Sequence, residues 1–171
     1  VFLNDEVNII KKVYEYEEAT DNLQSEITQY VVDLSQRELA KEYSQEMPVL
    51  IHNVNDIERI GDHAKNIAEI ARNKIDDNIS FTGEALDELR MMWDEVYAMM
   101  QETHQALKTN DTSLAQQVLE REQKVNELQV TLKESHIERL NRGQCALKSN
   151  FVFLDFIDNL EKIADHLTNI A

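Results

Sequence analysis

The 171-residue chain has three Gly and one Pro, too few for the tight turns of an all-β fold or the Gly-rich loops of a nucleotide-binding α/β fold. Its 17 Lys and Arg stand against 33 Asp and Glu, and the resulting net charge of −16 disfavours nucleic acid as a partner. With 42% apolar residues it can bury a core, so a soluble, acidic, all-α protein is expected.

Helical periodicity predicts five helices. The first runs from about Asn4, where Asn4 and Asp5 look like N-cap residues, to Leu34. The second is expected from about Ser35 to Asp77, with Gln36 to Glu38 in its first turn. Pro48 inside it lacks an N–H and clashes with the preceding turn, so it should kink or divide this helix. The stretch DDNISFTGEA is the clearest break, and a third helix follows from Glu84 to about Lys108. TNDTS caps a fourth helix that ends near Asn141, and Gly143 separates it from a fifth running to Ala171. No apolar run approaches the roughly 18 residues of a membrane span. The opening VFLNDEVN has neither a starting Met nor a basic leader, so an N-terminal segment was removed or the chain is a piece of a longer polypeptide. The single cysteine, Cys145, cannot form an internal disulfide and reads as a small apolar residue.

Comparing the chain with itself reveals a tandem duplication. NDIERIGDHAKNIA from Asn55 and DNLEKIADHLTNIA from Asp158 are identical at seven of 14 positions, at an offset of 103 residues. Upstream, VYEYEEATDNLQ from Val13 aligns with VLEREQKVNELQ from Val118 at an offset of 105. The dipeptide Asn4-Asp5 recurs at Asn110-Asp111. This divides the chain into a first repeat over 1–78 and a second over 84–171. The second has three helices and the first only two. If each unit is a three-helix bundle, the first helix of the first repeat is largely absent.

The repeated chemistry is acidic. Glu58 and Asp62 are matched by Glu161 and Asp165, each pair at i, i+4 and therefore on one helix face. The apolar stripe of the same helix contains Ile57, Ile60, Ala64, Ile67 and Ala68, which turns the acids to the outside of a bundle. In the second unit Leu160, Ile163, Leu167 and Ile170 bear the same relation to Glu161 and Asp165. The preceding helices carry Glu17 with Asp21 and Glu122 with Asn126, again on a different face from Leu23, Ile27 and Leu34 or Leu128 and Leu132. Antiparallel neighbours that set these edges together would gather four oxygen-bearing side chains per unit, and a multivalent cation would relieve their mutual repulsion. Oxygen-only donors suit Mg, Ca, Mn or Fe, with Zn also compatible.

Acids at this spacing also occur on plain solvated faces, and it is their repetition at matched positions that favours a site. His63 and His166, directly after the second acid, point toward the flank and are weaker ligand candidates. Glu58 and His63 lie five apart and the acids face outward, unlike the inward-facing Glu-x-x-His pattern of di-iron bundles. Met91, Met92, Trp93, Tyr97, Met99 and Met100 suggest core packing or a docking surface. His52, His104 and His136 have no evident partners, and catalytic signatures such as a Walker A loop or nucleophile elbow are absent from the sequence.

DIERIGDHAKNIAE from Asp56 and DNLEKIADHLTNIA from Asp158 resemble the E-x-x-x-D signatures of the PhoU family, and EEATDNLQSEI from Glu17 resembles its companion signature. The resemblance covers nearly the whole chain. It implies two symmetry-related three-helix bundles that bind multinuclear metal clusters, iron or zinc, on the bundle surface, and a non-enzymatic regulator of phosphate uptake and signalling. It assigns one cluster to Glu17, Asp21, Glu58 and Asp62, and a second to Glu122, Asn126, Glu161 and Asp165. Asn126 departs from the pattern, so the second site is expected to bind cations more weakly. The phrasing is closest to the cytosolic C-terminal domains of bacterial sodium/phosphate cotransporters. The implied partners are therefore a phosphate transporter or its membrane domain and further copies of the chain, in the cytoplasm at the inner membrane face. A helical interaction module without specific metal binding is the competing expectation.

Overall fold

Amphipathic periodicity with few helix breakers favours long helices. The computed structural model describes residues 7–36 and 41–171 and contains five. They are α1 (Val7–Ser35), α2 (Lys41–Asp76), α3 (Gly83–Thr109), α4 (Thr112–Asn141) and α5 (Leu147–Ile170), with no strand among the described residues. The all-α expectation holds. Val1 to Leu3, the Asn4-Asp5 cap and the first-turn residues Arg37 and Glu38 lie outside the described residues, while Ser35 and Gln36, expected to open the second helix, instead close α1 and form the turn after it.

Local chemistry sets several boundaries. The Thr82 hydroxyl accepts the Ala85 N–H at 3.2 Å, and the Asp111 carboxylate accepts the Ser113 N–H at 2.8 Å, so α3 and α4 begin where side-chain caps satisfy free donors. Asn110 and Gly143, just beyond α3 and α4, both adopt positive φ. Two further expectations are corrected. The segment from Gly143 to Ala146 is a turn, so α5 starts at Leu147. Pro48 does not divide α2, which runs through it as one helix. Pro48 is exposed and costs the helix one backbone hydrogen bond.

Helices α3, α4 and α5 pack mutually, α2 lies against α5, and α1 packs on α2. The main core cluster lies mostly in the second unit. Leu89, Met92 and Met99 from α3, Val118 and Val125 from α4, and Phe153, Ile157 and Leu160 from α5 are each fully buried. Burying a side chain of this size contributes about 1.5–3 kcal/mol. Among the described residues, α2 adds Ala71 to this cluster with half-buried Ile60, Ile67 and Ile70 packed against it, and no α1 residue belongs to it; Ile10 and Val31 of α1 and Val54 and Ala68 of α2 are buried outside it. The Met cluster on α3 divides accordingly: Met92 and Met99 are core, while Met91, Trp93, Tyr97 and Met100 are exposed.

The two units meet along α2 and α5 through a symmetric exchange. His63 Nδ1 lies 2.9 Å from Asn159 Oδ1, and His166 Nδ1 lies 2.7 Å from Asp56 Oδ1. Adding the 103-residue offset converts His63 into His166 and Asp56 into Asn159, so the contacts interchange under the duplication. The two imidazoles stack with centroids 5.7 Å apart. These histidines lie at the junction of the two units, beside the apolar packing of α2 on α5.

Candidate metal centre

The first quartet forms where α1 and α2 run antiparallel. Glu17 and Asp21 project from α1, Glu58 and Asp62 from α2. One carboxylate oxygen from each of Glu17, Asp21 and Asp62 lies within 4.8 Å of the others. Close helix approach makes this possible. A Cβ added to Gly61 would sit 2.8 Å from Thr20 Oγ1, which donates to the Glu17 carbonyl at 2.8 Å. Gln24 Nε2 donates to Asn55 Oδ1 at 2.9 Å and fixes the register of the two helices.

The helical wheel placed these acids wholly outside, and the structure corrects that. Glu17 is only 7% exposed, Glu58 and Asp62 are half-buried, and Asp21 is open to solvent. They occupy the crease between two helices. Ile57, assigned to the apolar stripe, is exposed, and so is Leu23. Burial raises the pKa of Glu58 first; the charges of Asp62, Asp21 and Glu17 push it further, and Arg59 partly opposes them. The arrangement is short of positive charge.

Basic residues supply part of it. Arg59 reaches Glu58 at 3.6 Å and Asp62 at 3.3 Å, and Lys65 Nζ binds Glu17 Oε1 at 2.5 Å. Sequence reasoning missed both because it treated the acids alone. The DIERIGDHAKNIAE motif contains both, three residues to either side of Asp62.

The second quartet is built differently. Asn126 Nδ2 donates to Glu122 Oε1 at 2.5 Å, and Lys162 bridges Glu161 at 3.1 Å and Asp165 at 2.9 Å. Among the described residues, the convergence of three acidic or histidine ligand atoms occurs in the first unit and not here. The Gln24 tie is nevertheless repeated: Gln129 Nε2 donates to Asp158 Oδ1 at 2.9 Å. Its sequence signal was visible, since both glutamines close the aligned VYEYEEATDNLQ and VLEREQKVNELQ segments.

His63 and His166 are committed to the α2–α5 interface by their Nδ1 contacts. His136, which lacked an evident partner in the sequence, is buried and stacks on Phe153 at 4.1 Å, with Arg139 3.3 Å from its Nδ1. Burial and then the Arg139 charge hold its pKa below the ordinary histidine value, against the pull of Glu88. Cys145 Sγ lies 4.0 Å from His136 Nε2.

Comparison with known proteins agrees with the architecture. The chain is 26% identical over 165 residues to the phosphate-specific transport system accessory protein PhoU homolog 1 of Thermotoga maritima, covering 95% of this chain and 70% of that protein. The crystal structure of PhoU from Pseudomonas aeruginosa superposes with a TM-score of 0.88 at 24% identity, over 99% of this chain and 80% of that one. The phosphate transport system regulatory protein PhoU from Streptococcus pneumoniae gives a TM-score of 0.82 at 19% identity, over 97% and 77%. A family model described as the PhoU domain matches residues 1–71 and 89–171, and the chain belongs to that family.

Proposed function

We propose that this chain is a non-enzymatic regulatory domain that couples phosphate status to a phosphate transporter through metal ions bound at its carboxylate quartets. Family membership and the phosphate-transport role in its relatives' names support the regulatory part. The metal part rests on one observation: the convergence of Glu17, Asp21 and Asp62 beside a Glu58 whose charge is disfavoured. An oxygen-only donor set fits hard or borderline cations, and iron or zinc is the proposed occupant. Glu17, Asp21, Glu58 and Asp62 would hold the first cluster; Glu122, Asn126, Glu161 and Asp165 would hold the second. A bound cation would neutralise the crease and tie α1 to α2.

The domain works in the cytoplasm, at the inner face of the membrane that carries the transporter. No described helix is long and apolar enough to cross a membrane itself. It self-associates through α1, where Ile9, Tyr16, Leu23 and Tyr30 recur every seven residues and are all exposed. Elemental analysis of protein purified without added metal tests the reading. Near-stoichiometric iron or zinc, lost in the Glu58→Gln/Asp62→Asn variant, is the expected result. No metal even after reconstitution would leave a helical interaction module.

A further inference from the structure

The most buried carboxylate of the first quartet already has a cation. Lys65 Nζ binds Glu17 Oε1 at 2.5 Å; the Glu17 side chain is 8% exposed and that of Lys65 36%. Asp21 and Glu69 add to the negative field around the ammonium. Glu17 is also one of the three acids whose oxygens converge. An entering metal ion and the ammonium therefore compete for one carboxylate.

This competitor belongs to the first unit alone. The 103-residue offset places Lys162 opposite Arg59, so each motif helix has one basic residue between its acids. The same offset places Thr168 opposite Lys65, and the Thr168 hydroxyl bonds to its own helix at Ala164 O, 3.0 Å away. The first quartet thus sets four carboxylates against Arg59 and Lys65. The second sets three carboxylates and an amide against Lys162. Each keeps two uncompensated negative charges, so the two quartets have the same formal charge balance.

We infer that Lys65 is a resident counter-cation of the first carboxylate quartet: it neutralises Glu17 in the metal-free protein and must leave that carboxylate when a divalent cation enters, which sets the affinity of the first site independently of the second. This rests on the metal-binding reading above. The displaced ammonium is already a third exposed and returns to water, so the exchange needs a side-chain rotation and no helix movement.

The test is a titration of metal-stripped full chain with Mn²⁺, followed by electron paramagnetic resonance and by melting temperature. Lys65→Gln should tighten one class of Mn²⁺ site about fivefold, the scale of a single partly exposed ion pair, and leave the other unchanged. It should also lower the metal-free melting temperature, because Glu17 loses its partner, and enlarge the rise produced by Mn²⁺. Lys65→Arg, which keeps the charge, should bind Mn²⁺ within about twofold of the parent. Thr168→Lys, which installs the competitor in the second unit, should weaken that unit's site by a similar factor. If the parent binds Mn²⁺ and neither Lys65→Gln nor Thr168→Lys changes its affinity, the counter-cation role is overturned and the metal sites stand. If parent and variants all fail to bind, the metal reading falls and this inference with it.

Discussion

The two units carry the same motifs on differently covered scaffolds. In the second, α4 faces α3: Arg121 binds Glu95 and Glu102 at 2.9 and 2.8 Å, Ser135 binds Glu88 at 2.7 Å, and Leu128 packs on the core. The counterparts of Arg121, Leu128 and Ser135 lie 105 residues earlier, at Tyr16, Leu23 and Tyr30 on α1, and all three are exposed. These three helix positions are therefore half-buried against a neighbouring helix in one unit and exposed in the other. The second unit acts as the scaffold, and among the described residues the first holds its acids in a crease between α1 and α2.

The largest expected difference is in stability. Phe153 is fully buried between His136 and the α3–α4 core, so Phe153→Ala should cost about 3–5 kcal/mol in urea unfolding. Leu23 is 55% exposed, and Leu23→Ala should stay within about 0.5 kcal/mol. Equal losses would mean that Leu23 is as well packed as Phe153.

Next comes association. Glutamates in place of Leu23 and Tyr30 should weaken self-association by at least tenfold in sedimentation velocity (roughly 1.4 kcal/mol), while Trp93→Glu on the exposed face of α3 should have little effect. A parent that stays monomeric at high concentration would remove α1 from the interface.

The units should also differ in the sign of their acid response. Burial disfavours the Glu95 charge, but hydrogen bonds from Lys124 and Arg121 outweigh it, so its folded pKa lies below the unfolded one. That stabilisation is present above the ordinary carboxylate range and is lost as pH falls through the lowered value. Glu58 is raised, so folding is favoured while it is protonated, and this advantage disappears as pH rises through its raised value. At neutral pH, Glu95→Gln should destabilise by roughly 1 kcal/mol, and Glu58→Gln should slightly stabilise the metal-free protein. Melting temperatures of both variants across pH 4–7 decide this (about the range where carboxylates titrate). A shift of the same sign in both would show that the crease is not under charge repulsion.

The smallest effect should come from Gly61→Ala. The new methyl forces Thr20 to turn from its 2.8 Å contact, while the helix gains about 1 kcal/mol of propensity. A net change within about 0.5 kcal/mol is expected from thermal unfolding. A loss of several kcal/mol would show that Thr20 cannot move.

The helices and the duplication were legible because both are local or periodic. Repetition also exposed the acid positions: Glu58 and Asp62 stand out only because Glu161 and Asp165 return 103 residues later. The sequence could not show how far each helix rotates against its neighbours. That rotation buried Glu17, exposed Ile57 and brought His63 to Asn159 across the unit boundary. Nor could a search for acids reveal the cations between them. Lys65 sits in plain view within the motif, but its partner lies 48 residues away on α1.

The most direct test of the metal sites is anomalous diffraction from crystals of the full chain grown with Zn²⁺, collected on both sides of the zinc absorption edge. The expected result is an edge-dependent peak bounded by Glu17, Asp21, Glu58 and Asp62, with the Lys65 ammonium no longer on Glu17. A zinc-loaded crystal with that crease empty and Lys65 still seated on Glu17 would contradict it.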